Sequence, residues 1–523
     1  MATNRFPIDV AASVIADISA GIYRTPAGAL KELISNAFDA DARRVRITTN
    51  APHFRTFTCT DDGLGLTPGK FKEVMSLIGG SSKRDQGDVS PIFGRPLIGR
   101  IGIGLLAIGQ ICRRFEVFSS AKGSAVKFRA QIDLEPYMRA EARRTQLGRP
   151  VELEKGGTVK IGEYEIEEAE EEPSRHYTRV VMESIIPGFQ QQLLSQPTIQ
   201  LGVTPKSFKK ADMAAFLASV SRDTVSEHGA YAQLIWELAV SAPIQYLPDG
   251  PVRNQSRLDD LRARVKDYNF TAFIDGVELF KPILVPTRRS IPCKLHPHLD
   301  LDKPLPGGRR LRVRGYLFWQ KERILPRELQ GVLVRVRNVA IGSFDPTYLG
   351  YPKHEGWKFS QLCGELYVDE GLDEAINIDR ASFRETDEAY LALQDFLFQR
   401  LGKKTDQGAG IFTNIKSLSG KLSEKRKKRE TAARGKRFAE IVFGQASSAR
   451  FRVAQDGHPT PAGLRITPSE VVIDQDLASP IPPRQKDLFI GVCAVLEKRL
   501  ARALPAGKRR ELFEKLAELF GVK

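Results

Sequence analysis

The stretch KELISNAFDA at residues 31–40 carries a carboxylate, an amide and a second carboxylate at helical spacing. Glu32, Asn36 and Asp39 stand at positions i, i+4 and i+7, so a helix would align them along one edge over consecutive turns. Leucine, isoleucine and alanine residues between them repeat with a helical period and would form the buried face. Because Thr25 precedes a proline, as an N-cap precedes a first helical residue, the sequence predicts a helix from Thr25 to Asp39.

A glycine-containing turn, DDGLGL at residues 61–66, follows this helix. Its first residue, Asp61, stands at the end of a strand predicted over residues 56–60. Gly63 and Gly65 come next, and glycine lets the backbone approach a ligand that a side chain would exclude. The turn therefore predicts a carboxylate beside bare main chain.

A second glycine run, IGRIGIG at residues 98–104, ends a glycine-dotted loop that begins at Gly79. Gly99, Gly102 and Gly104 precede a predicted helix. The free N–H groups and the positive dipole end of such a helix suit a phosphate.

Each pattern alone has an ordinary structural explanation, as a solvated helix face, a hairpin turn or a chance glycine run. Their order between residues 32 and 104 indicates function. The chain contains no GxxxxGK[ST] P-loop, and its glycine run follows a loop rather than a strand, unlike a Rossmann fingerprint.

With these motifs in this order, the chain resembles the GHKL ATPases. This superfamily includes gyrase B, the ninety-kilodalton heat-shock chaperones, sensor histidine kinases and the MutL repair proteins. KELISNAFDA resembles the N-box, DDGLGL the first glycine motif and IGRIGIG the second. The resemblance covers roughly residues 8–190. It implies an α/β fold, in which a Bergerat-type ATP-binding domain (an α+β sandwich) occupies residues 1–200.

The resemblance also implies roles for individual residues. Glu32 matches the catalytic glutamate that orients or deprotonates the attacking water, and Asn36 matches the residue that helps hold Mg²⁺ against the phosphates. Asp61 matches the carboxylate that accepts a hydrogen bond from the adenine amino group. The other positions of these motifs expected to contact ATP are Asp39, Gly63, Gly65, Gly99, Gly102 and Gly104.

The loop from Gly79 to Gly99 would be the mobile lid over ATP, with Ser82 and Lys83 as candidate phosphate contacts. A serine–lysine pair in a loop is also often merely solvated. Thr178 in RHYTRVVMES stands where the family has a threonine near the base, and Thr158 in GGTVKIG is the competing candidate.

Residues 253–402 form a second predicted α/β domain, preceded by a helical connector over residues 201–252. The segments VLVRVRNVAIGSFDPTYL and ELYVDEGLDEAINIDRASF resemble the middle, transducer-like domain of the heat-shock chaperones. This resemblance implies that Arg380 is catalytic, because a guanidinium at the γ-phosphate stabilises the charge on the transferred group. A structural salt bridge from Arg380 to Asp369 or Asp373 is the alternative.

The remaining residues, 403–523, are predicted to form a basic, mainly helical C-terminal module. Its densest basic run lies at residues 421–437, and the whole chain carries a net charge of +16. Such a run could bind nucleic-acid phosphates. A solvated basic helix is the alternative explanation.

Cysteine spacing and hydropathy indicate the cellular compartment in which we expect the protein. The five cysteines are widely separated and include no CxxC pair, which argues against a disulfide framework or a zinc cluster. The N-terminal residues lack a signal-peptide pattern, and no apolar run approaches the roughly 20 residues that a membrane span needs. We therefore expect a cytoplasmic protein with no membrane partner.

Taken as a whole, the resemblance implies a slow, Mg-dependent ATPase that works as a conformational switch, with nucleotide-dependent homodimer formation. Because its first two domains are most similar to the heat-shock chaperones, the first hypothesis is a nucleotide-gated clamp on a protein client or partner subunit. The alternatives are a DNA-engaged clamp, as in the MutL and microrchidia-type ATPases, and a nucleotide-sensing regulatory subunit with little turnover.

Overall fold

The structure is a computed structural model, in which two compact units divide the chain at residues 1–413 and 414–523. The residues that it describes are 4–11, 26–76, 89–99, 104–134, 158–195, 213–220, 224–247, 263, 265–266, 268–282, 291–296, 299–353, 355–377, 380–402, 410–443, 450–454, 459–467 and 470–521.

A large, mostly antiparallel sheet forms the first layer of the first unit, and within the described residues it has nine strands. Their order is β1-β6-β5-β4-β7-β3-β2-β8-β9, and only the pair β2–β8 is parallel. The strands are β1 Asn4–Ala11, β2 Arg44–Thr48, β3 Phe57–Asp61, β4 Cys112–Ser120, β5 Val126–Asp133, β6 Thr158–Glu170, β7 Tyr177–Ile185, β8 Thr271–Ile274 and β9 Val277–Glu278.

Helices cover this sheet. They are α1 Pro26–Asp39, α2 Pro68–Ser76, α3 Pro187–Leu194, α4 Met213–Val220 and α5 Ala230–Ser241, with a 3₁₀ helix at Gly104–Gln110. Helix α1 contacts both α5 and the 3₁₀ helix, so it is enclosed on several sides. Leu30, Ile34 and Phe38 are completely buried, and each such side chain contributes roughly 1.5–3 kcal/mol through removal from water.

A second sheet follows in the same unit. Its main order is β10-β12-β15-β13-β14, with β11 also paired to β12, and the pair β13–β15 is parallel. The strands are β10 Cys293–His296, β11 Leu301–Pro304, β12 Arg310–Gln320, β13 Gly331–Val336, β14 Val339–Asp345 and β15 Leu362–Glu370, and helix α6 follows at Glu388–Gly402.

One hydrophobic core joins the two sheets of the first unit. It contains side chains of α1 and of the first sheet, residues of α5, and Phe318, Leu333 and Tyr367 of the second sheet. Non-directional burial of apolar surface therefore holds the second sheet against the first sheet layer through α5. This continuity fixes where a loop of the second sheet can meet α1.

The second unit contains a small sheet with the order β16-β18-β17, followed by a helical layer. Its core includes Val471, Phe489, Cys493 and Phe513. The elements of this region are α7 Ile411–Phe443, β16 Arg450–Val453, β17 Leu464–Ile466, β18 Glu470–Ile473, α8 Gln475–Ala478, α9 Lys486–Leu500 and α10 Ala506–Gly521.

The structure confirms the predicted mixed α/β fold and differs from the expected organisation in two places. Strand β8, which we expected in the domain that begins at residue 253, pairs in parallel with β2 of the first sheet. The C-terminal region, expected to be mainly helical, also contains the β16–β18 sheet. Strands β16, β17 and β18 have only three or four residues, too short for a clear alternating pattern, whereas the pairing of β8 with β2 depends on the tertiary fold.

None of the described helices combines enough residues with enough apolar character to cross a bilayer.

Candidate active site

Helix α1 places Glu32 in the interior of the first unit. Only 4% of the residue is exposed, because the second sheet and its loops cover this face of the helix. The oxygen Oε1 is buried and has no hydrogen-bond partner among the described residues. Buried polar atoms are nearly always paired, so an unpaired carboxylate oxygen is a candidate acceptor for a ligand or for the proton of a water molecule.

Arg380 reaches Glu32 from the loop that follows β15. Its Nη1 lies 3.6 Å from Glu32 Oε2, and its Nη2 donates to the backbone carbonyl of Ile98. The backbone of Arg380 has a positive φ of 47°, an uncommon conformation for a residue with a side chain. The neighbouring Lys31 fixes this loop, since its Nζ donates to the carbonyl oxygens of Arg380 at 3.3 Å and Ala340 at 3.4 Å.

The alternative partners considered for Arg380 have other contacts. Asp373 pairs with Arg337 at 3.1 Å, and Asp369 pairs with Arg314 at 3.3 Å.

The other two polar residues of the α1 edge differ in their surroundings. Asn36 lies one turn beyond Glu32 and is partly exposed. Asp39 accepts hydrogen bonds from the backbone N–H groups of Ile98 at 2.8 Å and Gly99 at 2.6 Å. Asp39 therefore holds the main chain that leads into the second glycine motif.

Asp61 ends β3 beside the first glycine motif. Burial raises the pKa of its carboxyl to about 7; the hydrogen bond from the Gly63 N–H opposes this rise, and the nearby Asp62 carboxylate adds to it. The Gly63 N–H donates to Asp61 Oδ1 at 2.9 Å, and the residue keeps some access to solvent. A Cβ at position 63 would approach the Ala40 carbonyl oxygen at 2.8 Å, so a bare backbone is needed here.

Gly65 has even less space for a side chain than Gly63. Its φ is +68°, and a Cβ would stand 1.9 Å from the carbonyl oxygen of Ser120, a distance that no side chain tolerates. The main chain of the motif can therefore approach the end of β4 only because this residue is glycine.

Strand register puts Thr178 directly opposite Asp61 on β7. Ser119 Oγ donates to the Tyr177 carbonyl at 2.8 Å and lies 3.2 Å from Thr178 Oγ1. Since Ser119 has only one hydroxyl hydrogen, the Thr178 hydroxyl donates to Ser119 and its own oxygen can still accept. Thr158 begins β6, which β5, β4 and β7 separate from β3, so Thr178 is the candidate that lies beside Asp61.

Several residues near the glycine motifs escape sequence analysis. Ser119 also accepts the N–H of Leu66 at 2.9 Å, and His176 Nδ1 lies 2.7 Å from the Gly63 carbonyl. Because a carbonyl only accepts, His176 carries its proton on Nδ1. Both residues shape the first glycine motif. Only their proximity to the strand ends of β4 and β7 could have drawn attention to them.

Arg95 anchors residues 89–99, the part of the predicted lid that the structure describes. The residue is 1% exposed, and its guanidinium donates to the carbonyl oxygens of Phe38, Ala42, Tyr268 and Asn269 at 2.7–3.1 Å. Burial lowers its pKa against the opposing effect of Asp41. The guanidinium thus caps the C-terminal end of α1, where carbonyl groups lack helical partners.

Asp41 complements Arg95. Its carboxylate accepts the Ser90 hydroxyl and the N–H groups of Ile92 at 2.7 Å and Phe93 at 3.2 Å. Residues 89–99 are therefore tied to the end of α1 by both charges.

Some predicted positions lie outside the described residues, namely Ser82, Lys83 and Gly102. Gly104 begins the 3₁₀ helix Gly104–Gln110. The structure brings Arg380 to Glu32 in the middle of α1, Gly99 to Asp39 at its C-terminal end, and Thr178 to Asp61 on paired strands, while Gly63 lies against the Ala40 carbonyl and Gly65 against Ser120. Over the described residues, no group of three or more His, Cys, Asp or Glu side chains could hold a metal ion by itself.

Chemically, this arrangement combines four capabilities. Asp61 can accept a hydrogen bond from a ligand, the glycine turn exposes main chain, Glu32 can accept a proton, and Arg380 can stabilise developing negative charge. The last two groups lie on different parts of the chain, so closing the site requires the second sheet to contact α1.

Residues 23–154 match the family described as Histidine kinase-, DNA gyrase B-, and HSP90-like ATPase. This range contains both glycine motifs and all of α1. It ends before Thr178 and Arg380.

Curated relatives match parts of the chain. The "Putative type II restriction enzyme HgiDII" of Herpetosiphon aurantiacus is 28% identical over 123 residues, 24% of this chain and 19% of the relative. The DNA mismatch repair protein MutL of Desulforudis audaxviator is 44% identical over 59 residues, 11% of this chain and 10% of the relative. MutL of Nitrobacter winogradskyi is 33% identical over 102 residues, 19% of this chain and 16% of the relative.

These matches span less than a fifth of each relative. The family match and the MutL relatives support the GHKL superfamily for the segment that forms α1 and the glycine motifs.

Proposed function

We propose that this protein is a Mg-dependent ATPase in which ATP controls the contact between α1 and the Arg380 loop. The observation that carries the proposal is the approach of Arg380 to Glu32, 3.6 Å apart in the protein interior. A base and a cation from distant parts of the chain meet at the edge of a glycine-lined site. This arrangement suits the activation of water and the stabilisation of a phosphoryl group.

The residues fit an adenine nucleotide. Asp61 offers an acceptor for the adenine amino group, and Thr178 lies opposite it with acceptor capacity. Gly65 packs the main chain of the glycine turn against the end of β4, beside the strand that carries Thr178. The N–H groups of Gly102 and Gly104 are the proposed phosphate donors, with Ser82 and Lys83 as further contacts from the lid.

Hydrolysis then follows from the polar residues of α1 and the Arg380 loop. Water attacks the γ-phosphorus, a new P–O bond forms, and the bond to the bridging oxygen breaks as ADP leaves with its electron pair. Glu32 takes the proton of the attacking water through its unpaired oxygen. Arg380 offers its guanidinium to the charge on the transferred group. The partly exposed Asn36 would supply an amide oxygen to Mg²⁺, and the bound ion would neutralise charge on the phosphates.

The Arg380 contact also provides the switch. The guanidinium binds Glu32 and the Ile98 carbonyl at once, so a triphosphate at the site competes for the cation that joins the Arg380 loop to α1. Nucleotide state can therefore change the balance between bound and released arrangements of this loop. We propose that ATP-dependent homodimer formation accompanies this change.

There are two candidates for the macromolecule on which the switch acts, DNA and a protein client. The relatives named as DNA mismatch repair proteins and as a restriction enzyme favour a DNA-engaged clamp. Helix α7 supports this candidate, since its run from Lys425 to Arg429 is exposed, and a helix that is polar all round often bridges solvent or binds a polyanion. A clamp on a protein client, similar to the heat-shock chaperones, remains the second candidate and rests on the likeness of the Arg380 segment.

The decisive experiment measures size and nucleotide binding in the purified full chain with ADP and with a non-hydrolysable ATP analogue. We expect binding of both nucleotides and a larger hydrodynamic size with the analogue alone. Phosphate release should be abolished by Glu32→Ala, while nucleotide binding is retained. Failure of the wild-type protein to bind either nucleotide would remove the proposal.

A further inference from the structure

Besides Arg380, an arginine of the second sheet contacts the main chain that leads into the second glycine motif. Arg337 stands in the two-residue turn between β13 and β14, and its Nη1 donates to the carbonyl oxygen of Leu97. Arg380 donates to the next carbonyl, that of Ile98. From the opposite direction, Asp39 accepts the N–H groups of Ile98 and Gly99. Residues 97–99 are thus bound by α1 on one side and by two cations on the other.

The turn that carries Arg337 has an unusual backbone. Arg337 has a φ of 52° and Asn338 a φ of 72°, the left-handed pair that a tight hairpin requires. Glycine, asparagine and aspartate usually fill such positions, and arginine pays a conformational penalty there. In this conformation the Arg337 side chain extends from the turn to the Leu97 carbonyl.

Two further contacts hold the turn in place. The buried ammonium of Lys281, on the segment that follows β9, donates to the Asn338 side-chain oxygen. Arg337 Nη2 pairs with Asp373 Oδ1 at 3.1 Å, and Asp373 lies in the 3₁₀ helix Asp373–Ala375, shortly before Arg380. Arg337 therefore connects the Arg380 loop with Leu97 through one guanidinium.

We infer that Arg337 is a positioning residue for the ATPase reaction. It keeps residues 97–99, which lead into the second glycine motif, in register with the Arg380 loop. The inference rests on the proposed ATPase function and adds a residue that neither the glycine motifs nor the Arg380 segment points to. Because Arg337 acts through the main chain, its loss should affect catalysis more than the initial binding of ATP.

The test compares Arg337→Ala, Arg337→Lys, Asp373→Asn and the control Arg314→Ala in the full chain. Arg314 lies on β12, pairs with Asp369 at 3.3 Å and has a side chain 46% exposed, so it matches the charge change without the contact to Leu97. The measurements are kcat and KM for ATP, together with hydrogen exchange of peptides that cover residues 95–99, with ADP and with a non-hydrolysable ATP analogue.

We expect Arg337→Ala to lower kcat about tenfold with KM changed less than about threefold, and to remove the analogue-dependent protection of residues 95–99. Arg337→Lys should recover part of both effects, since an ammonium can still donate to Leu97. Asp373→Asn should give a smaller loss, and Arg314→Ala should behave as wild type.

The inference is overturned if Arg337→Ala matches Arg314→Ala in both kcat and exchange. If Arg337→Ala does not fold, Asp373→Asn decides, and a wild-type kcat and exchange pattern in that variant is equally negative. Absence of turnover in the wild-type protein would instead refute the proposed ATPase function, so the two failures are distinguishable.

Discussion

The guanidinium of Arg380 and the carboxylate of Glu32 meet inside the protein, with Nη1 3.6 Å from Oε2. Their side chains are 13% and 5% exposed, so the pair is shielded from solvent. Removing one member of such a pair leaves the other charge without compensation. The contact is therefore both a candidate catalytic arrangement and a constraint on the docking of the second sheet.

Replacing Glu32 by Gln should separate catalysis from binding. The amide keeps the shape of the side chain but cannot take a proton from water. We expect ATP turnover to fall at least about a hundredfold, with nucleotide affinity within about threefold of wild type. Steady-state phosphate release and fluorescence-based nucleotide binding measure the two effects. Glu73→Gln is the matched control, because the Glu73 side chain is 52% exposed and pairs with Lys70 on helix α2. Turnover that persists in Glu32→Gln would rule out Glu32 as the base.

Replacing Arg380 by Ala should reduce kcat by a factor of about ten or more, because charge on the transferred group loses a guanidinium. Arg380→Lys should restore only part of the activity, since an ammonium cannot bind Glu32 and the Ile98 carbonyl with the same planar geometry. Arg384→Ala is the control four residues away, on a side chain that is 56% exposed and pairs with Asp387. Equal kcat in the Arg380 and Arg384 variants would contradict the role.

The sequence could predict the parts of the site that depend on local spacing. Helix α1, strand β3 and the two glycine motifs are visible because periodicity and turn residues are local properties. The sequence could not decide between Thr158 and Thr178, because that choice depends on the register of β7 against β3.

The contacts of Lys31, Arg95 and Arg337 could not be predicted from the sequence either. Their partners are backbone carbonyl groups that long-range packing brings near, and a carbonyl carries no residue identity that a pattern could reveal. The parallel pairing of β8 with β2 has the same origin, because only the tertiary fold brings residue 271 beside residue 44.

Asp61 should make both stability and ATP binding depend on pH. Its pKa of about 7 in the folded protein lies above the ordinary value of 3.8, so the folded state favours the protonated carboxyl. The stability that this group contributes is fully present below about pH 3.8 and is lost as the pH rises through 7. Relative to Asp61→Asn, wild-type protein without nucleotide should gain about 2 kcal/mol between pH 8 and pH 5.

ATP binding should show the opposite trend, since the adenine amino group donates to the ionised carboxylate. Affinity should fall by up to about tenfold per pH unit below 7, and the pH dependence should disappear in Asp61→Asn. Nucleotide titrations at pH 6, 7 and 8 measure this change. An affinity that is flat across this range in the wild-type protein would show that the carboxyl does not contact the base in its ionised form.

Arg95→Ala should destabilise the first unit. The change removes the guanidinium that donates to four backbone carbonyl groups and opens a cavity between Phe38, Phe93 and Phe270, whose rings face it. We expect the melting temperature to fall by more than about 5 °C, and Arg95→Lys to give little recovery. Arg114→Ala is the control, because its side chain is 53% exposed and pairs with Asp133. Similar melting of the two alanine variants would contradict the anchoring role of Arg95.

The basic run of α7 provides the test between the two targets of the switch. Reversing the charges of Lys425, Lys427 and Lys428 to Glu should weaken binding of duplex DNA at least about tenfold at moderate salt, since each phosphate contact releases counterions. The slope of affinity against salt should decrease by roughly one for each contact removed.

Reversal of Arg450, Arg452 and Arg465, which are exposed on β16 and β17, changes the charge by the same amount and is the control. Electrophoretic shift assays with ADP and with a non-hydrolysable ATP analogue add the second criterion, because a clamp should retain DNA at higher salt with the analogue. Equal weakening by both sets of reversals, with no effect of nucleotide, would indicate non-specific attraction by a basic surface and leave the protein-client clamp as the better candidate.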